Sequence, residues 1–108
     1  NVVFPKEQSC CSQPFLNSGF LDEAKVLAEK FYDIFQDYDY IVAPSASCIS
    51  TIRFGYKRLL SEEKYEKLKS KSYEICEFLH DVIKLRKLDV SFDYSVSIHK
   101  SCHGLREL

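Results

Sequence analysis

The chain has 108 residues, 45% of them hydrophobic and 29% charged, with a formal net charge of −1. This is enough chain for one globular domain, with the profile of a folded protein and not of a disordered segment. The near-neutral balance excludes a large nucleic-acid surface, and no apolar run reaches the roughly 18 residues of a membrane helix.

Val2-Val3-Phe4, stopped by Pro5, reads as a short strand. Residues 6–19 carry Cys10, Cys11, Pro14, Asn17, Ser18 and Gly19, and read as a loop because turn residues cluster there. A helix is predicted over 21–38, with Ala24, Leu27, Ala28, Phe31, Ile34, Phe35 and Tyr38 on one face. Residues 40–43 read as a buried strand closed by Pro44, and 45–50 as a turn. A shorter helix follows over 48–60. A long one is predicted over 62–83, N-capped by Ser61, with Tyr65, Leu68, Ile75, Leu79 and Val82 on its inner face. Residues 84–93 link onward. Residues 94–98 alternate apolar and polar, as a strand does, and His99 to Cys102 leads into another helix. This alternation predicts an α/β domain, a mainly parallel sheet with flanking helices of Rossmann-like kind.

Five cysteines is an odd count, and no export signal opens the chain. A reducing, cytoplasmic setting with ligand or redox cysteines is therefore expected. Cys10 and Cys11 follow the first predicted strand, Cys48 the second and Cys102 the third. Carboxyl ends of parallel strands share one edge, where α/β sheets bind ligands, so these four are predicted on one rim. A disulfide between adjacent cysteines is strained, since neighbouring Cα atoms are about 3.8 Å apart. In an irregular loop both thiolates can instead reach one metal centre. Soft thiolates suit an iron–sulfur cluster or zinc. His99 and His103, beside Cys102, are further metal-ligand candidates. Cys76 is expected in the core, and a Cys76/His80 pair on one helix finds no second ligand pair. No G-x-G loop is present to cradle phosphate.

Cys10-Cys11-Ser12-Gln13-Pro14 with Asn17-Ser18-Gly19, Pro44-Ser-Ala-Ser-Cys48, and His99-Lys-Ser-Cys102-His103 together resemble the C-C-G-Q-P…N-S-G, P-S-x-S-C and H-x-x-C-H motifs of the cysteine-rich CCG-domain family. The nearest subgroup in likeness is the lactate-utilisation protein A group, also described as a glycolate oxidase iron–sulfur subunit. The resemblance covers nearly the whole chain. It implies a first repeat over 1–93 and the start of a second over 94–108. It also implies cofactor ligation by Cys10, Cys11 and Cys48, with Cys102 as the first cysteine of the second repeat. Two positions depart from the pattern. Ser12 stands where the family has glycine, at a turn expected to need φ > 0, and Thr51 stands where the C-x-x-C has its second cysteine. A full thiolate set is therefore absent from this half. The chain opens on Asn1 and breaks off within a motif, so a fragment is expected.

The function implied is that of an oxidoreductase subunit in L-lactate (or related 2-hydroxy acid) oxidation. It would pass electrons through a cysteine-ligated cofactor of 4Fe-4S type, alongside ferredoxin-like iron–sulfur partner subunits. Two alternatives stay open. One is a zinc-stabilised interaction module without redox activity, with His99 or His103 among its ligands. The other is a thiol–disulfide enzyme of heterodisulfide-reductase-like kind, attacking through Cys10 or Cys11. No catalytic residue is assigned.

Overall fold

A computed structural model describes residues 1–99 and 102–107 of the chain. Two helices come first, α1 (Gln13–Ser18) and α2 (Leu21–Phe35). Strand β1 (Ile41–Ala43) leads into α3 (Ala46–Arg53), a 3₁₀ turn (Gly55–Arg58) and α4 (Glu62–Lys69). Strand β2 (Ser72–Glu74) then opens into α5 (Ile75–Glu77), which continues as a π-helical stretch (Phe78–Val82). A last helix, α6 (Cys102–Glu107), lies against α3. No helix among the described residues is long and apolar enough to cross a membrane.

The described sheet is β1 and β2 alone, paired in parallel with Ile41 opposite Ser72, Val42 opposite Tyr73 and Ala43 opposite Glu74. Parallel pairing needs a crossover, and α3, the 3₁₀ turn and α4 supply it. The α/β class and the parallel sheet hold. Ala24, Ala28, Phe31 and Phe35 form the inner face of α2, as their 3–4 spacing requires. They pack with Ile41, Ile49, Ile52, Tyr56, Leu59, Leu60, Tyr65 and Leu68 in one core.

Several expected elements differ. Residues 6–19 are not all loop, because Pro14 sits in the first turn of α1, where its missing N–H costs nothing, and Gly19 closes the helix at φ 83. The strand over 40–43 is only half buried, with Val42 39% exposed. The helix over 48–60 is shorter and starts earlier; Ser45 is its N-terminal flank and a 3₁₀ turn its continuation.

The long helix over 62–83 is broken by β2. The Ser70 and Ser72 hydroxyls donate back to the Lys67 and Leu68 carbonyls, an alternative partner that ends helices. Lys71 Nζ donates to the carbonyls of Phe35, Gln36 and Tyr38 at 2.7–2.9 Å, tying the chain to the end of α2. Glu74 then restarts a helix by capping the N–H groups of Cys76 and Glu77, while the Glu77 carboxylate accepts from Glu74 N–H. The shared face of Tyr65, Leu68, Ile75, Leu79 and Val82 therefore does not exist, and Cys76 is exposed instead of core. Neither predicted terminal strand forms. Residues 2–4 and 94–98 are irregular and mostly exposed. An apolar run or an alternation marks a strand only where an edge accepts its backbone, and neither segment lies on β1 or β2.

Candidate functional site: a thiol corner under Tyr56

The turn after the cysteine pair makes the site. Ser12 adopts φ 68 and ψ 3, a left-handed conformation rare outside glycine, and its carbonyl accepts the first bond of α1 from Leu16. The sharp reversal parts the two cysteines, leaving Cys10 exposed and Cys11 buried. Cys48 lies in the first turn of α3 and is half buried. Cys48 and Cys10 are close enough to act on the Cys11 thiol by charge.

Burial pushes the Cys11 thiol up to about 12; the Gln13 backbone N–H opposes this, and the neighbouring sulfurs of Cys48 and Cys10 add to it. The thiol is thus held protonated unless a cation takes the proton's place. Tyr56 closes the corner from the 3₁₀ turn. Its hydroxyl donates to the Cys11 carbonyl at 3.2 Å, and its ring, fully buried, meets Phe31 edge-on. Burial first, then the charges of Cys11, Cys10 and Cys48, push the Tyr56 phenol well up, while the adjacent Ser12 hydroxyl pulls it down. Gly55, just before Tyr56, lies close against α1, since a Cβ there would stand 2.6 Å from Leu16 Cδ2.

Of the residues singled out from sequence, Cys11 and Cys48 come together and Cys10 stands beside them. Cys102 does not join this group. It is exposed at the start of α6, on a helix that neighbours the helix of Cys48. His99 is exposed in irregular chain, and the His103 side chain lies outside the described residues. The rim built on three strands is corrected accordingly, because the strands expected before Cys10 and Cys102 are irregular chain. Thr51 is buried in α3 and its hydroxyl donates to the Ser47 carbonyl at 2.9 Å, so the position serves packing. Sequence reasoning missed Tyr56. Its one signal was a glycine directly before a large aromatic, a place where chain and ring can press close.

Thiol donors in a partly water-excluded corner fit a soft metal or an iron–sulfur group by chemistry. A buried polar atom points the same way, since Ser12 Oγ makes no hydrogen bond of normal geometry. Among the described residues no three of His, Cys, Asp and Glu are arranged to hold a metal ion. The described corner is therefore not a closed metal cage.

A cysteine pair beside a left-handed turn thus lies near a cysteine at a strand-to-helix junction. Residues 1–53 match the CCG cysteine-rich domain. Over its length the chain is similar to lactate utilization protein A of Shouchella clausii (strain KSM-K16), at 38% identity, covering 100% of this chain and 47% of that protein. The proteins of that name from Geobacillus kaustophilus (strain HTA426) and Bacillus subtilis (strain 168) are 37% and 35% identical, each over 99% of this chain and 46% and 47% of their own length. The chain thus spans about half the length of the curated relatives it matches. No solved structure matches.

Proposed function

We propose that this chain acts in lactate utilisation, as part of a subunit that passes electrons during oxidation of L-lactate or a related 2-hydroxy acid. Cys10, Cys11 and Cys48 would hold the redox group, an iron–sulfur cluster of 4Fe-4S type, with Cys102 contributing from the start of a second repeat over 94–108. Ferredoxin-like iron–sulfur subunits would be the electron partners. The observation that carries this reading is the meeting of the Cys11 and Cys48 side chains under Tyr56, with Cys10 beside them.

The group would supply the electron-carrying chemistry. The chain's own residues do the rest: the Ser12 turn presents the pair, Tyr56 fixes the Cys11 backbone, and the core of α2 and α3 keeps water from one side. A second reading, thiol–disulfide exchange, is favoured by the same Cys11–Cys48 contact. Burial, which pushes the Cys11 thiol up, disfavours Cys11 as the attacking group and leaves the exposed Cys10 for that role.

Protein purified without oxygen and assayed for iron, sulfide and zinc, with EPR spectra before and after reduction, tests the proposal. Iron and sulfide with a reducible paramagnetic signal are expected. Stoichiometric zinc without iron would turn the reading to a structural module.

A further inference from the structure

Residues 86–99 form no helix or strand, and every one of them is exposed. Lys84, at φ 61, sets the segment off from the π-helical stretch before it. Its sequence is not that of a linker. Leu88, Val90, Phe92, Tyr94, Val96 and Ile98 alternate with Asp89, Ser91, Asp93, Ser95 and Ser97, with no glycine or proline among them. Linkers are polar or rich in glycine and proline, whereas unbroken period-2 alternation is the pattern of a strand with one covered face. Here the six apolar residues are 59–87% exposed. A run of this kind lacks a backbone edge to pair with and a cover for its apolar side. β1 and β2 pair with each other and not with this segment.

A second copy supplies the edge. Antiparallel pairing about a two-fold axis at Asp93 sets Leu88 across from Ile98, Val90 from Val96 and Phe92 from Tyr94. Every apolar side chain of the run then faces an apolar partner. On the other face Asp89 meets Ser97 and Ser91 meets Ser95, and the single like-charge meeting is Asp93 with its own copy. Moving the axis one residue either way sets an apolar end of the run against Arg86 or Lys100. The six apolar residues expose on the order of 800 Å² per copy, the most this pairing can cover and the size a specific interface uses on each partner. A two-stranded ribbon is marginal by itself, so the association is reversible and depends on concentration.

We propose that residues 88–98 are a self-recognition strand, whose partner is the same segment of a second copy of this chain, paired antiparallel about Asp93. Self-pairing does not depend on what the cysteines hold. The test uses the whole chain with a reducing agent present, so that exposed cysteines do not cross-link two copies. Sedimentation equilibrium over a range of concentrations gives the dissociation constant, and infrared spectra over the same range give the strand content. A reversible dimer is expected, with strand content rising as it forms. Phe92→Asp, at an exposed position that leaves the core intact, is expected to weaken the dimer about tenfold or more. Asp93→Asn removes the one opposed charge and is expected to tighten it about 2–5-fold, while Asp89→Asn, an equal change in net charge, leaves it nearly unchanged. Nonspecific apolar association would respond to the two alike. A chain that stays monomeric up to millimolar concentration, a dimer that forms without added strand, a dimer indifferent to Phe92→Asp, or equal effects of Asp93→Asn and Asp89→Asn would each overturn the pairing.

Discussion

The molecule holds cysteines in two settings. Cys10, Cys11 and Cys48 belong to a corner backed by the core, where Tyr56, Ile49 and Ile52 are essentially inaccessible. Cys76 stands on open surface, with His80 four residues on. In sequence both settings offer ligand-like spacing. What separates them is convergence: the first draws on the segment before α1, on α3 and on the 3₁₀ turn, while Cys76 and His80 lie on one strip of chain whose packing partners are aromatic. Spacing along a chain nominates ligands, and packing around them decides whether they form a site.

The largest expected effect that sharpens this contrast is Tyr56→Ala. It deletes a fully buried ring and the bond to Cys11, and should cost about 3–5 kcal/mol in urea unfolding. Val90→Ala, at a side chain 77% exposed in the open segment, should stay within about 0.5 kcal/mol. Comparable losses in the two would erase the distinction between the regions.

Arg53 joins the two settings. Its Nε donates to the Ser72 carbonyl at 2.8 Å, its Nη2 pairs with Glu77 at 2.8 and 3.0 Å, and its guanidinium lies over Tyr73. Arg53→Ala should destabilise by about 2 kcal/mol, since charged hydrogen bonds in a half-buried place are lost. Hydrogen exchange should rise first in β2 and α5. A rise confined to α1 would show that the joint lies elsewhere.

Gly55→Ala should cost about 1 kcal/mol by pressing on Leu16, and Leu16→Ala in the same chain should relieve part of that strain in a double-mutant cycle. Strict additivity would mean that the two do not touch.

The smallest effect is chemical. At pH 8 an alkylating reagent should label Cys10, Cys76 and Cys102 ahead of Cys11, because those three are exposed and Cys11 is buried. The reactive thiolate of Cys11 grows only as the pH rises from the ordinary 9.0 toward about 12, so its labelling should accelerate across that window. A Cys11 folded-state value above the unfolded one also means that its contribution to stability is present below pH 9 and lost on approach to 12. Early labelling of Cys11 at pH 8 would show an open corner.

The sequence made the α2 helix legible because its apolar face is long and regular, and the burial of Ala24, Ala28, Phe31 and Phe35 follows it. It made β1 legible through an apolar run ended by Pro44. It misread 62–83 because helical periodicity continued across Ser70 and Ser72, whose side-chain bonds to the backbone and whose place beside β1 are tertiary matters. The strands over 2–4 and 94–98 were misread for the complementary reason: an apolar run or an alternation describes what a chain could pair with, not whether a partner edge is at hand. At the site, the cysteines could be nominated from their motifs, and the turn at Ser12 from its place after the pair. Tyr56 could not, because its role comes from a contact 45 residues away.

The most direct test of the thiol corner compares the metal content of Cys48→Ser with that of Cys76→Ser, both purified without oxygen. Cys48→Ser is expected to lose the metal, and Cys76→Ser to match the unmodified chain. Equal retention in the two would contradict the corner as the site that holds it.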